Sequence, residues 1–234
     1  MAHPQTRIAV IIPVLNEEAT LPSVLADIPR ELVEEIVVVD NGSADRTAEV
    51  ARMNDATILS EPRRGYGSAC LAGIAYLITK DPDIVVFLDG DYSDHPEEIE
   101  RVVQPIVDER YDLVIGSRTK GLAAPGALLP QARFGNALAT LLIRFLYGFS
   151  YSDLGPFRAI RFPALLELGM VDRNYGWTVE MQIKAVRKGL RIVEVPVRYR
   201  RRAGGASKVT GTIKGTVLAG YKILWTVFRY AWGT

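Results

Sequence analysis

Residues 84–98 read IVVFLDGDYSDHPEE. The apolar run Ile84–Phe87 continues into Leu88, and then Asp89 and Asp91 stand two apart around a single glycine. An uninterrupted apolar run of this length suits a strand covered on both faces. Two carboxylates that close repel each other unless both sit in open water or something cationic lies between them. One reading is a solvated loop after a buried strand, with Asp94 capping the next helix. The other is a divalent-cation site at the end of that strand. The tripeptide does not decide between them, so its surroundings must.

The first 120 residues alternate short β-branched runs with amphipathic stretches. RIAVIIPVL, EIVVVD, ATILS, DIVVFLD and DLVIGS are separated by ATLPSVLADI, DRTAEVARM, GSACLAGIAYLI and PEEIERVVQPIVDE. That rhythm predicts βαβ units and an α/β fold, a mostly parallel central sheet flanked by helices. Ligands of such sheets bind outside the carboxyl ends of the strands. Asp40, Asp89 and Ser117-Arg118 all fall at strand ends. Beyond Arg118, GLAAPGALLPQA is punctuated by Gly and Pro and reads as a mobile connection. Helices follow at ARFGNALATLLIRFLYGF and WTVEMQIKAVRKG, a turn and short strand at YSDLGPFRAIRF, and a last strand at RIVEVPVRYR. A basic Gly-containing loop, RRAGGASKVTG, leads into a C-terminal amphipathic helix with Ile213, Val217, Tyr221, Leu224, Trp225 and Phe228 at helical spacing. No repeat or clear linker interrupts the chain, so residues 1–234 read as one domain.

Composition narrows the class. Apolar residues at 48% and charged residues at 24% are ordinary for a soluble globular protein. The one cysteine, Cys70, excludes an internal disulfide framework and suits a reducing compartment. MAHPQTRIAV lacks the layout of a signal peptide. Arg144 and Lys222 interrupt the longest apolar runs, so no membrane span is expected. The net charge of +1 conceals an asymmetry. From Lys184 onward there are twelve Lys/Arg against one acid, Glu194, while residues 1–183 carry sixteen basic and twenty-six acidic groups. A basic C-terminal segment on an acidic body points to an anionic partner. The aromatic stripe of the last helix suits core packing, and with that charge it also offers a face to an anionic membrane surface.

Other motifs carry two readings each. In PVLNEE, Asn16 caps a helix with Glu17 and Glu18 at its positive end, or the turn meets a ligand. In VVVDNGSADRT, Asp45 caps a helix while Asp40 holds a sugar hydroxyl or a base edge. In RRGYGSACLAG, Gly65 and Gly67 let backbone amides approach phosphates beside Arg63 and Arg64. There is no Gly-x-Gly after the first strand, which counts against a dehydrogenase. Asp94-His-Pro-Glu97 has the form of a capping box, with His95 structural.

Taken in order, PVLNEE, VVVDNGSADRT, RRGYGSA, FLDGDYSDHPEEI, VIGSR, RFGN and RRRAGGASK resemble family 2 glycosyltransferases of the GT-A fold. The dolichyl-phosphate mannose or glucose synthase-like branch is the nearest match, over about residues 7–210. The resemblance implies a nucleotide-sugar half (about 1–120), an acceptor half (about 121–210) and the C-terminal helix (211–234). It implies that Asp89 and Asp91 hold Mg²⁺ or Mn²⁺ on the diphosphate of a nucleotide sugar. Pro13, Asn16, Glu17, Asp40 and the glycines 65 and 67 match nucleotide-binding positions. Arg118 and Arg133 match arginines that hold an acceptor phosphate, and Arg202 and Lys208 fall in the matching basic loop.

The implied activity is metal-dependent inverting hexosyl transfer to a polyprenyl phosphate, with UDP-glucose favoured and GDP-mannose second. The implied enzyme is cytoplasmic, peripheral on the inner face of a membrane, and has no nucleic-acid partner. If the acceptor is instead a soluble alcohol, Glu180 or Asp153 becomes the candidate general base. A nucleotidyltransferase and a silent nucleotide-sugar binding module are the other classes. Two departures stand out. Ser93 replaces a Gln common in the polyprenyl-phosphate enzymes, and SDLGPFR displaces Asp153 by one from the usual Asp-x-x-Ser-Gly-Phe-Arg.

Overall fold

A computed structural model describes residues 6–204 and 213–232. The β-branched runs form strands β1 (Ile8–Val14), β2 (Glu35–Asp40), β3 (Thr57–Ser60), β4 (Ile84–Phe87), β5 (Leu113–Ser117), β6 (Arg158–Arg161) and β7 (Ile192–Pro196). They join one seven-stranded sheet in the order β3-β2-β1-β4-β6-β5-β7. β1 pairs in parallel with β2 and β4, β2 with β3, and β5 with β7. β6 alone is antiparallel, inserted between β4 and β5. The helices are α1 (Leu21–Asp27), α2 (Thr47–Met53), α3 (Tyr66–Leu77), α4 (Ile99–Val107), α5 (Pro130–Tyr147), α6 (Phe162–Leu168), α7 (Trp177–Arg187) and α8 (Ile213–Trp232).

Alternation along the strands divides the core into two layers. Ala9, Ile11, Val37, Val39, Val85 and Phe87 face one side, where α3, α5, α6, α7 and α8 cover them. Ile8, Val10, Ile12, Val38, Val86 and Val114 face the other, under α1 and α4. Phe87 meets Trp177 edge-to-face at 5.9 Å, which fixes the start of α7 beneath β4.

The register sets the ligand end of the sheet. Ile11 pairs with Phe87, so the turn after β1 lies beside the turn after β4. Gly90 is needed here, because a Cβ on it would stand 2.7 Å from Val14 Cγ1. The glycine between the two acids is therefore a packing requirement of the sheet.

Three local expectations are corrected. Gly65 and Gly67 admit protein backbone: added Cβ atoms would meet the carbonyl oxygens of Arg173 and Asp172 at 2.0 and 2.1 Å. The Ser68 amide at the start of α3 donates to the Arg173 carbonyl at 3.0 Å, so that donor is already taken. Asn16 does not cap α1, whose preceding residue is Thr20. Its φ of 54° turns the chain so that its Oδ1 accepts from the Ala44 amide at 2.7 Å. The Gly/Pro-punctuated connection after Arg118 is pinned along residues 197–201. Ala124 donates to the Tyr199 carbonyl at 2.7 Å, and Arg201 Nε to the Pro125 carbonyl at 2.7 Å.

The contact at Gly67 gives a test of this junction. Gly67→Ala forces α3 and residues 172–173 apart, so it should cost about 1–3 kcal/mol, the range for overpacking. A lowered urea midpoint with an unchanged slope is expected. An unchanged midpoint would mean that the two segments do not pack as described.

Candidate active site

Two cavities open at the carboxyl ends of the strands. The first, about 410 Å³, is walled by Pro13, Leu15 and Glu17 at and just after the end of β1, Asn41 after β2, Arg64–Tyr66 at the entry of α3, and Asp89–Asp91 after β4. Asn174, Tyr175, Tyr199 and Arg202 close its far side. The second, about 520 Å³, is lined by Arg118, Arg133, Asn136, Leu141, Arg144 and Asp153 among others. Arg118 and Tyr199 join the two, the guanidinium carbon lying 5.0 Å from the phenol ring centroid.

Asp89 is half-buried, and its Oδ1 is buried without a hydrogen-bond partner. Burial, and then the charge of Asp91, push its carboxyl above the usual carboxylate range. Asp91 is oriented by Ser93, whose amide and hydroxyl donate to its Oδ1 at 3.0 and 2.5 Å. Its Oδ2 receives Arg202 at 3.1 Å, and the same guanidinium bonds Glu17. Asp94 was expected at a helix cap, but it is 1% exposed and neither carboxylate oxygen has a hydrogen-bond partner. Arg200 grips its main-chain carbonyl at 3.0 Å and holds the turn inward, leaving His95 at the helix entry. Burial, then Asp89 and Asp91, raise the Asp94 pKa as well.

This pair fits a hard divalent cation. It offers carboxylate oxygens, one of them buried and unpartnered, and hard cations take oxygen ligands. Among the described residues no third His, Cys, Asp or Glu completes a ligand set. That arrangement suits an ion such as Mg²⁺, which commonly binds through one or two carboxylates plus phosphate oxygens and water.

Asp153 and Glu180, the candidate general bases, are both engaged elsewhere. Asp153 accepts from Arg118 Nε at 2.8 Å, Arg118 Nη2 at 2.7 Å and the Arg118 amide at 2.8 Å. Burial works against the Arg118 charge, but these bonds and the Asp153 charge outweigh it and raise the arginine's pKa. Asp153 therefore positions an arginine. Glu180 has no exposed surface and lines neither cavity. It accepts from the Asp172 amide at 2.7 Å, Tyr230 hydroxyl at 2.7 Å and Lys184 at 2.7 Å. It ties the 170–176 turn, and with it the wall residues Asn174 and Tyr175, to α8.

Of the remaining expected residues, Pro13, Glu17 and Gly65 are in the first cavity, whereas Asn16, Asp40 and Gly67 are outside its lining. Asp40 Oδ1 accepts from the Ser43 amide at 3.0 Å. Arg118 and Arg133 share the second cavity, but Arg202 is in the first, beside the acids. Lys208 lies outside the described residues. Arg64, read from sequence as charge beside the glycine turn, is in the first cavity, whereas Asn41, Tyr66, Asn174, Tyr175 and Tyr199 carry no such reading. Asn41 had a legible signal, since it follows Asp40 at the strand end; its amide binds the carbonyls of Glu61 and Arg63 at 2.9 and 2.8 Å.

Paired acids and arginines at the carboxyl ends of a mostly parallel sheet, next to a second arginine-lined cavity, are where an α/β enzyme binds its ligands. The chain belongs to glycosyl transferase family 2, whose profile matches residues 9–169. It is 39% identical over 214 residues to an uncharacterized glycosyltransferase of Mycobacterium tuberculosis, covering 91% of this chain and 94% of that one. It is 32% identical over 229 residues to the polyprenol monophosphomannose synthase of Mycolicibacterium smegmatis, covering 90% and 83%. Glucosyl-3-phosphoglycerate synthase from Mycobacterium tuberculosis, solved with Mn²⁺, UDP and glucosyl-3-phosphoglycerate, superposes with a TM-score of 0.75 at 25% identity, over 97% of this chain and 80% of that one. The motif resemblance and the GT-A fold are thus borne out, and the protein is a glycosyltransferase.

Glu180 offers a discriminating measurement. Glu180→Gln should lower the unfolding free energy by about 1–3 kcal/mol, because buried hydrogen bonds are lost. Turnover at saturating substrate should stay within about tenfold of wild type. A general base would show a loss of about 10²–10⁴-fold with little change in stability.

Proposed function

We propose that this glycosyltransferase moves a hexosyl group from a nucleoside-diphosphate sugar in the first cavity to a phosphorylated acceptor in the second. The observation that carries this reading is the unpartnered buried oxygen of Asp89 beside Asp91, one residue contact away from an arginine-lined cavity through Tyr199 and Arg118. UDP-glucose is the favoured donor, supported by the UDP and Mn²⁺ bound to the structural relative. GDP-mannose is second, supported by the mannose synthase relatives.

Asp89 and Asp91 would hold Mn²⁺ or Mg²⁺, and the bound ion would supply Lewis-acid neutralisation of diphosphate charge. Arg64 and Arg202 add positive charge on the same side. Arg118, oriented by the Asp153 fork, and Arg133 hold the acceptor phosphate at the boundary of the two cavities. A phosphate monoester carries most of its second charge near neutral pH, its second pKa being about 6. Such an acceptor attacks without a general base, which accords with both candidate bases being engaged.

A lipid-linked acceptor is favoured over a soluble one by the surface around the second cavity. Phe134, Leu141 and Phe145 are 71%, 60% and 86% exposed along one face of α5, flanked by Arg133 and Arg144. Tyr147 ties α5 to α8 through the Val227 carbonyl at 2.5 Å. On α8 the aromatic stripe faces outward, with Tyr221, Phe228 and Trp232 exposed, instead of filling the core. Apolar faces beside arginines match an anionic bilayer, with the cavity opening toward the phosphate layer. Among the described residues no helix is long and apolar enough to cross a membrane. A soluble phosphorylated acceptor is the second reading, supported by the phosphoglycerate enzyme's fold.

Two experiments test this reading. Asp91→Asn keeps the acceptor for Ser93 but loses charge, so donor turnover should fall about a hundredfold or more, the scale of a main electrostatic stabiliser. Chelator should abolish wild-type turnover. Full activity in both cases would remove the cation site. For the surface, Phe134→Glu with Phe145→Glu should reduce co-sedimentation with phosphatidylglycerol vesicles and slow transfer to polyprenyl phosphate. Unchanged sedimentation, or efficient transfer to 3-phosphoglycerate alone, would favour the soluble acceptor.

A further inference from the structure

Arg202 stands among the acids of the first cavity, and its partners there are unusual for a residue of a phosphate-binding loop. One terminal nitrogen bonds Asp91 Oδ2 at 3.1 Å and the other bonds Glu17 Oε1, while Nε donates to the Gly204 carbonyl at 2.7 Å. The strand-like run leading to it lies along the acidic turn, with the Arg200 amide donating to the Ser93 carbonyl at 2.9 Å. The guanidinium is only 19% exposed and the two carboxylates 8% and 16%, so solvent screens these contacts poorly.

Glu17, Asp89 and Asp91 put three acids in one small cavity, and acids so confined need a counter-charge. The Arg202 guanidinium supplies that counter-charge, bonded to Asp91 Oδ2 and to Glu17. A divalent cation approaching Asp91 Oδ2 therefore meets a fixed positive charge on that oxygen. Both cations cannot hold the same oxygen without strong repulsion. A nucleoside diphosphate changes the balance, because its oxygens give the displaced guanidinium a new bidentate partner.

We infer that Arg202 is an exchangeable counter-ion for Asp91: it holds the cation's place without donor and yields it when a nucleoside diphosphate arrives. The inference rests on the reading of Asp89 and Asp91 as the cation-holding pair. It makes Arg202 a positioning residue that couples cation binding to nucleotide binding. Metal without nucleotide binds weakly because the guanidinium must be displaced with nowhere to go. Metal and nucleotide together bind cooperatively, and by linkage each raises the affinity for the other by the same factor.

Free-Mn²⁺ titrations followed by electron paramagnetic resonance separate this role from two simpler ones. Wild type, Arg202→Gln and Arg202→Lys are each titrated without nucleotide and with saturating UDP. Without nucleotide, Arg202→Gln should bind Mn²⁺ about tenfold more tightly than wild type, within the usual range of coupling factors. Arg202→Lys should stay near wild type. With UDP the order should reverse, Arg202→Gln holding the Mn²⁺–UDP pair less tightly than wild type. A residue that only binds phosphate would alter the UDP titration and leave the metal-only titration unchanged, which overturns the exchange. A residue that only shapes the loop would weaken both, and that also overturns it. Arg202→Met, which keeps the packing stem, serves if the Gln variant lowers the melting temperature. Absence of Mn²⁺ binding in every form, even with UDP, removes the cation site itself and the exchange with it.

Discussion

Arg158 opens β6 with no exposed surface, its guanidinium donating to the main-chain carbonyls of Leu154, Gly155 and Thr178. Burial works against that charge and lowers its pKa, so the carbonyls must replace the water it has lost. Around this point the chain turns to enter the sheet antiparallel, between β4 and β5. An antiparallel strand is entered from the carboxyl ends of its parallel neighbours. Residues 151–157 are therefore drawn across the ends of β4 and β5, and Asp153 arrives at Arg118. Without the buried arginine the corner would have unpaired carbonyls, and the second cavity would lose its floor.

The electrostatics divide along the same line. Acids gather after β1 and β4, where Glu17, Asp89 and Asp91 share a cavity with Arg64 and Arg202. Arginines dominate the neighbouring cavity, and its main acid, Asp153, is already spent on Arg118. One cavity thus suits a cation carrying a polyanion, and the other suits an anion alone. Two anionic ligands can approach each other because each is met by its own positive charge. On the proposed reading, that is the electrostatic difficulty in bringing a sugar diphosphate up to a phosphate acceptor, and the division addresses it before any ligand binds.

The strand ends were legible because continuous β-branched runs admit few other structures, and ligands of parallel sheets gather at such ends. This signal led to Asp89, Asp91 and Arg118. Reading failed where a residue's role depended on a distant partner. Arg202 meets Asp91 across 111 positions and Arg200 meets Asp94 across 106, so no local pattern could reveal either. Gly65 and Gly67 looked like phosphate-loop glycines because the signature for close backbone approach does not say what approaches. Glu180 and Asp153 looked like bases because sequence shows a carboxylate and not its hydrogen bonds. The antiparallel β6 was invisible for a similar reason, since a four-residue strand reads alike in either direction.

The double role of α8 bears on how such an enzyme can diversify. Its inner side reaches the wall of the first cavity through Tyr230 on Glu180 and Lys222 on Asp172, the latter at 3.0 Å. Its outer side carries Tyr221, Phe228 and Trp232, exposed, with Phe228 and Trp232 stacked at 5.2 Å. Drift on the outer side is filtered only by what the helix rests against. Drift on the inner side disturbs Asn174 and Tyr175, and so the wall of the first cavity. A lineage can therefore change what α8 rests against while keeping its first cavity, with the two traits inherited on opposite sides of a single helix.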